Sequence, residues 1–197
     1  MNRLAVSDIA ARKNSAPIVV LTAYTAPIAR LLDAHVDVLL VGDSLGMVIY
    51  GMKDTLDVTL EMMENHARAV VNASKHALVV VDMPYGAYET SKEQALASAR
   101  RLMQTGAQAV KLEGGRDRAD IIRHLVQSGI PVMGHVGLMP QRVREMGGYR
   151  YQGRDTEDAA RILQDALAVQ DAGAFSMVIE ATKEEVARGI TEKLNIP

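Results

Sequence analysis

The chain has 197 residues, 48% hydrophobic and 23% charged, with a net charge of −2 and a pI near 6.2. This length suits one sizeable core, so a single domain over 1–197 is expected, and the weak charge offers no field for nucleic acid or an anionic membrane. With no cysteine there are no disulfides, thiolate metal sites or cysteine nucleophile.

The N-terminal MNRLAVSDIAARKNS lacks the apolar stretch of a signal peptide, and no run approaches membrane-span length, so a cytoplasmic protein is expected. IVVLTAY (18–24) is the first strand candidate, and LLVGDS (39–44) the second. Residues 59–74 follow with helical period: Leu60, Met63, Ala67, Val70 and Val71 form a stripe behind Thr59 as N-cap. LVVVD (78–82) is the third strand, and 91–105 a helix opened by a capping box, Ser91 with Gln94. AVKLE (109–113), a helix over 117–128 and PVMGH (131–135) continue the alternation. After the long segment 137–156 come a helix over 157–171, SMVIE (176–180) and a last helix for which Thr182 and Glu185 suggest another capping box. Gly106, Gly129 and Gly173 each stand between a helix and the next strand, as left-handed helix stops do. Six βα units at this spacing predict parallel strands with right-handed crossovers. An open doubly wound sheet and a (β/α)8 barrel short of its last two units both satisfy that pattern.

Uninterrupted Val, Ile, Leu and Met runs read as strands buried on both faces. Five of them end in polar residues, which are costly to bury and add little packing. Recurrence at successive strand ends points to one shared site, the place where a barrel builds its chemistry. Asp43, Asp82 and Glu113 are hard oxygen donors suited to Mg²⁺ or a similar divalent ion. Lys111 lies two residues before Glu113, so both side chains face one side of the sheet. A lysine there can neutralise a substrate carboxylate or an enolate oxygen, and His135 can donate a hydrogen bond or move a proton. Glu180 follows Met177, Val178 and Ile179, an apolar setting expected to raise its pKa and suit it as a base. Together these residues suit proton removal next to a carbonyl.

Each has a blander reading. A lone Asp at a strand end often caps a helix, Lys111 with Glu113 can be a structural ion pair, and His135 a satisfied core residue. Five coincident strand ends argue against taking every one that way. Met62, Met63 and Met103 read as core, and Arg142, Arg144, Arg150 and Arg154 as a solvated cluster or a subunit contact. The Gly- and Arg-rich 137–156 reads as an active-site loop.

VGDSLGMVIYG (41–51), VVVDMPYGAY (79–88), VKLEGG (110–115), GIPVMGHVGLMPQ (129–141), GGYRYQGR (147–154) and DAGAFSMVIEA (171–181) together resemble the ketopantoate hydroxymethyltransferase family. The resemblance runs from about Ile18 to Pro197, with the motifs in order. It implies a (β/α)8 barrel of the phosphoenolpyruvate/pyruvate class. It further implies transfer of a hydroxymethyl group from 5,10-methylenetetrahydrofolate, as co-substrate, to 3-methyl-2-oxobutanoate, giving 2-dehydropantoate in pantothenate synthesis. On the matching positions Asp43, Asp82 and Glu113 would hold or surround Mg²⁺, with Asp43, Ser44, Asp82, Lys111 and His135 at the keto-acid. Glu180 would be the proton acceptor. The family also implies a homo-oligomer, usually a decamer.

Departures are His35 in place of a helix-ending Gly, Met139 in place of Thr and Tyr85 in place of Phe. The family pattern continues past Pro197 into two further strands. The 197 residues are therefore expected to be part of a longer barrel, and on their own to show poor stability and low or no activity. Two other readings are a shortened, non-catalytic paralogue serving as an assembly partner, and another Mg-dependent enolate lyase of the same barrel class. The many intact charged positions speak against the first and the missing cysteine against the second.

Overall fold

A computed structural model describes residues 3–197. Its six strands are β1 (Val20–Thr22), β2 (Val38–Val41), β3 (Leu78–Asp82), β4 (Ala109–Glu113), β5 (Val132–Gly137) and β6 (Ser176–Glu180). All pair in parallel, in the order β1-β2-β3-β4-β5-β6. That order resolves the ambiguity left by the sequence. A doubly wound sheet reverses its strand order at a switch point, whereas a barrel wall adds each strand beside the last.

The helices are α1 (Val6–Ala10), α2 (Ala26–Leu32), α3 (Leu45–Tyr50), α4 (Leu60–Ala73), α5 (Lys92–Met103), α6 (Ala119–Gln127), α7 (Thr156–Asp171) and α8 (Glu184–Lys193). Strand side chains alternate between two destinations, as the two-residue period requires. Leu39, Val79, Val81, Val110, Leu112 and Val132 pack outward with helix residues such as Met63, Leu102, Ile122 and Ile162. Val38, Leu78, Val80, Ala109 and Met133 point inward to a second cluster that includes Ile9 of α1 and Phe175. Inward-facing residues from β1 through β6 line one cavity. A flat sheet of six strands spaced about 4.8 Å apart would be too wide for this, so the sheet curls into a barrel wall. Gly134 on β5 lets α7 close in, since a Cβ there would lie 2.4 Å from Val169 Cγ1.

Most element assignments follow the sequence pattern. Thr59 and Ser91 cap α4 and α5 by accepting from the Met62 and Gln94 N–H groups. Gly106, Gly129 and Gly173 have positive φ. The stripe residues of α4 to α7 are buried or packed against the core, and Met62, Met63 and Met103 are core as expected. Glu64 and Arg101 add a two-bond ion pair between α4 and α5.

Several expectations need correction. Strand β1 covers only three residues of 18–24, and Val20 and Leu21 are exposed at the sheet edge. Strand β2 stops at Val41, so Asp43 and Ser44 sit in the turn to α3. Helix α7 starts at Thr156, one residue before the expected 157, and Asp155 caps it by accepting from Asp158 N–H. Thr182 does not open the last helix: its hydroxyl donates to the Glu180 carbonyl, and α8 starts at Glu184 without a side-chain cap. The 150–153 segment bonds here instead, with Gln152 N–H donating to Ala181 O and Lys183 N–H to Gln152 O. Of the four arginines read as a solvated cluster, Arg144, Arg150 and Arg154 are exposed, with Arg144 paired to Asp54, whereas Arg142 is half-buried and pairs with Asp117. Among the described residues no helix is long and apolar enough to cross a membrane.

Candidate active site

All the polar residues singled out at the strand ends meet in one cavity of about 260 Å³ at the C-terminal end of the sheet. Thr22, Asp43, Ser44, Asp82, Lys111, Glu113, His135 and Glu180 line it. Inward alternation brings residues 82, 111, 113, 135 and 180 there from four strands. Gly42 keeps the approach to Asp43 open, as a Cβ would come within 3.0 Å of Ser44 Oγ.

The ammonium of Lys111 is the cation at the centre. Its Nζ lies 2.9 Å from Asp82 Oδ1 and 3.1 Å from His135 Nδ1. The other Asp82 oxygen accepts from Asp43 N–H at 3.1 Å. Burial disfavours the charged lysine, but the charges of Asp82, Glu113 and Asp43 outweigh it and hold Lys111 above the ordinary lysine range. An ammonium can only donate, so His135 Nδ1 accepts and its proton sits on Nε2, 3.2 Å from Glu180 Oε2. Burial and Lys111 keep the ring neutral.

The carboxylates divide. Burial, then the charge of Asp82, pushes Asp43 up to about 7, against the pull of Lys111 and Gln141. Burial also pushes Glu113 up to about 8. Glu180 goes the other way. Burial raises it, but the His135 bond and the charge of Lys111 win and leave it below the ordinary range. The raised pKa expected from its apolar sequence neighbours is therefore overturned. Ala181, immediately after it, holds a left-handed φ of 42°, a strained conformation for a residue with a Cβ.

One consequence is testable in cation-free protein. Asp43 has a folded pKa of about 7 against an ordinary 3.8, so its contribution to stability is complete below about pH 4 and lost as pH rises through 7. Asp43→Asn cannot ionise and escapes this loss. Its melting temperature should exceed wild type at pH 8, by an amount that shrinks towards pH 5. Equal melting temperatures across that range would contradict the raised pKa.

Comparison with known proteins fits the strand-end motifs. The sequence pattern describing ketopantoate hydroxymethyltransferase matches residues 3–197. The chain belongs to the ketopantoate hydroxymethyltransferase family. It is 59% identical to the 3-methyl-2-oxobutanoate hydroxymethyltransferase of Rhodospirillum rubrum, over 99% of this chain and 71% of that protein. Identity to the Brucella suis protein of the same name is 57%, with the same coverage. Among solved structures, 2,3-dimethylmalate lyase, a PEP mutase/isocitrate lyase superfamily member, aligns with a TM-score of 0.69 at 22% identity. The alignment covers 98% of this chain and 68% of that one. Phosphonopyruvate hydrolase, solved with oxalate and Mg²⁺, aligns with a TM-score of 0.71 at 11% identity, over 96% of this chain and 69% of that one. These two likenesses show the fold: the chain shares a barrel architecture with proteins of quite different sequence.

Sequence reasoning missed several residues of the site. Tyr24 bonds Ser44 Oγ at 2.7 Å, and its own carbonyl lies 2.5 Å from His66 Nδ1. Tyr149, from the long loop, also lines the cavity. Gln141 is 5% exposed and bonds to Asp43, Met83 and Glu113, at or just beyond the ends of β2, β3 and β4. It closes the GLMPQ run, but a neutral amide lacks the charge that made the other positions conspicuous.

Proposed function

We propose that the protein transfers a hydroxymethyl group from 5,10-methylenetetrahydrofolate to 3-methyl-2-oxobutanoate, giving 2-dehydropantoate in pantothenate biosynthesis. The observation that carries this reading is the buried lysine among carboxylates, with one ionised glutamate at the cavity wall. A cavity of about 260 Å³ matches a short branched keto-acid. The much larger folate would then lie over the mouth, beside Tyr149 and Pro140, with only its reactive carbon directed inward.

In this scheme Ser44, held by Tyr24, meets the substrate carboxylate, and Lys111 faces the keto oxygen. Glu180 takes the C3 proton. The two electrons of that C–H bond become the enolate, whose oxygen Lys111 neutralises as charge develops. Water adds to the methylene carbon of the folate as its two C–N bonds break, their electrons staying on the nitrogens, which releases tetrahydrofolate and leaves the carbon as formaldehyde. The C3 carbon attacks that carbon, forming the new C–C bond, and the carbonyl electron pair becomes the hydroxymethyl oxygen, which takes the proton back from Glu180. His135, with Nε2 3.2 Å from Glu180 Oε2, helps to keep Glu180 ionised.

A divalent cation, with Mg²⁺ the best match, belongs to the same proposal. Among the described residues no three His, Asp or Glu side chains converge as a ready-made cage. Mg²⁺ seldom needs one, being held by one or two carboxylates with water and substrate. Asp43 and Asp82 would bind it and Glu113 would act through water. Buried Asp82 Oδ1 lacks a well-aligned hydrogen bond despite the nearby ammonium, and so retains acceptor capacity. When bound, the cation supplies Lewis acidity to the keto oxygen and so acidifies C3.

A homo-oligomer, decameric by the family resemblance, and a cytoplasmic location complete the reading. Val48, Ile49 and Tyr50 on α3 are exposed and give apolar surface for self-association.

Incubating the protein with 3-methyl-2-oxobutanoate and Mg²⁺ in D₂O, without folate, tests the core of the proposal. NMR should show loss of the C3 hydrogen that stops when the cation is chelated. A folded protein that leaves the C3 signal intact would refute the reading.

A further inference from the structure

Gln141 begins the long loop after β5, on a 3₁₀ turn spanning Pro140–Arg142. Its side-chain Nε2 donates to Asp43 Oδ2 at 2.8 Å and to Met83 O at 2.9 Å. Its Oε1 accepts from Tyr88 O–H at 2.6 Å, and its backbone N–H donates to Glu113 Oε2 at 3.0 Å. The orientation of the amide follows from these partners. A flipped amide would turn oxygen towards a carboxylate and a carbonyl, both acceptors, and would leave the tyrosine proton facing an NH₂. The side-chain amide and the backbone N–H of Gln141 therefore all have partners, from residues at or just beyond the ends of β2, β3 and β4 or from the loop after β3.

We propose that Gln141 is a positioning residue that fixes which carboxylate oxygens face the cavity. By engaging Oδ2 of Asp43 and Oε2 of Glu113, it leaves Oδ1 and Oε1 to meet a cation or its water. Glu113 Oε1 accordingly lies on the His135 side, 3.7 Å from Nδ1. Without the side-chain amide the Asp43 carboxylate can rotate about its terminal bond, and it loses its fixed relation to Glu113, which the Gln141 backbone N–H still holds. Tyr88 is the second layer of the same device: its hydroxyl locks the amide and also accepts from Glu113 N–H at 3.3 Å. A merely structural amide would stabilise the loop without altering the properties of the carboxylates.

This inference rests on the reading of the site given above, and the two can fail separately. Gln141→Met keeps the volume and the backbone bond to Glu113 but removes the three amide bonds. Measured by calorimetry with Mn²⁺ and by C3 hydrogen exchange, it should lose about 10- to 100-fold in cation affinity and in exchange kcat, the range typical of residues that orient a metal's ligands. KM for the keto-acid should change far less. Tyr88→Phe should show the same two losses in smaller measure. The double variant should be no worse than Gln141→Met alone, because both changes break one chain of contacts. If Gln141→Met does not fold, Tyr88→Phe decides by the same two readings. Variants that lower the melting temperature while cation affinity and kcat stay at wild-type values overturn the positioning role. A wild-type protein that neither exchanges nor binds Mn²⁺ refutes instead the reading of the site itself.

Discussion

Glu180→Gln is expected to leave the fold intact and to slow cation-dependent exchange of the C3 hydrogen by about a thousandfold, within the 10²–10⁴ range of a lost general base. The side chain lies at the rim of the cavity, 40% exposed, so the amide is accommodated without a buried penalty. His135 Nε2 can still donate to the remaining carbonyl oxygen, which keeps the ring in place. What is lost is the proton acceptor. Because Glu180 sits below its ordinary 4.5, it stays ionised throughout the neutral range, and exchange should not fall from its protonation until pH drops below that value. A lowered pKa also makes it a weaker base, so the acidity of C3 must come from the cation and Lys111. Exchange within tenfold of wild type would move the base elsewhere.

Lys111→Met should act on stability as strongly as on turnover. Lys111 and Asp82 are each about 5% exposed, so neither is relieved by solvent. Removing one partner of such a pair typically costs about 3–5 kcal/mol, because the remaining charge is buried alone. For a chain of this size that corresponds to a fall in melting temperature of roughly 10 °C. Asp82 Oδ1 and His135 Nδ1 would lose their neighbour together. Added Mg²⁺ should restore part of the loss by binding the folded state alone. Thermal denaturation with and without the cation reads both effects. A variant as stable as wild type without metal would mean that proton uptake by Asp43 and Glu113 already neutralises the cluster.

The strand ends were legible because a strand buried on both faces leaves a plain apolar background. Against it Asp82, Lys111, Glu113, His135 and Glu180 stand out by charge alone. Gln141, Tyr88 and Tyr24 do not, since neutral side chains at loop positions look like any other loop residue. The pKa of Glu180 was misread for a different reason. Met177 and Ile179 precede it in sequence but face the helices, while its real neighbour, His135, lies on the adjacent strand. Helix α3 went unnoticed because LGMVIY is as apolar and β-branched as a strand. Thr182 looked like a cap because no local pattern reveals that residue 152 will pair beside it.

Each strand pairs with its neighbour in sequence, and this order bears on how the chain is made. Residues emerging from a ribosome can add to the growing wall one unit at a time, without waiting for a distant partner. The exception is electrostatic. Asp43 and Asp82 are laid down before Lys111 exists, so a nascent chain carrying only the first three strands holds two carboxylates with no counter-charge. Those strand ends gain nothing from burial until β4 is synthesised. Compaction of the early units should therefore start at the opposite end of the sheet, where Ile9, Val38 and Leu78 meet, and reach the end that carries the cavity last.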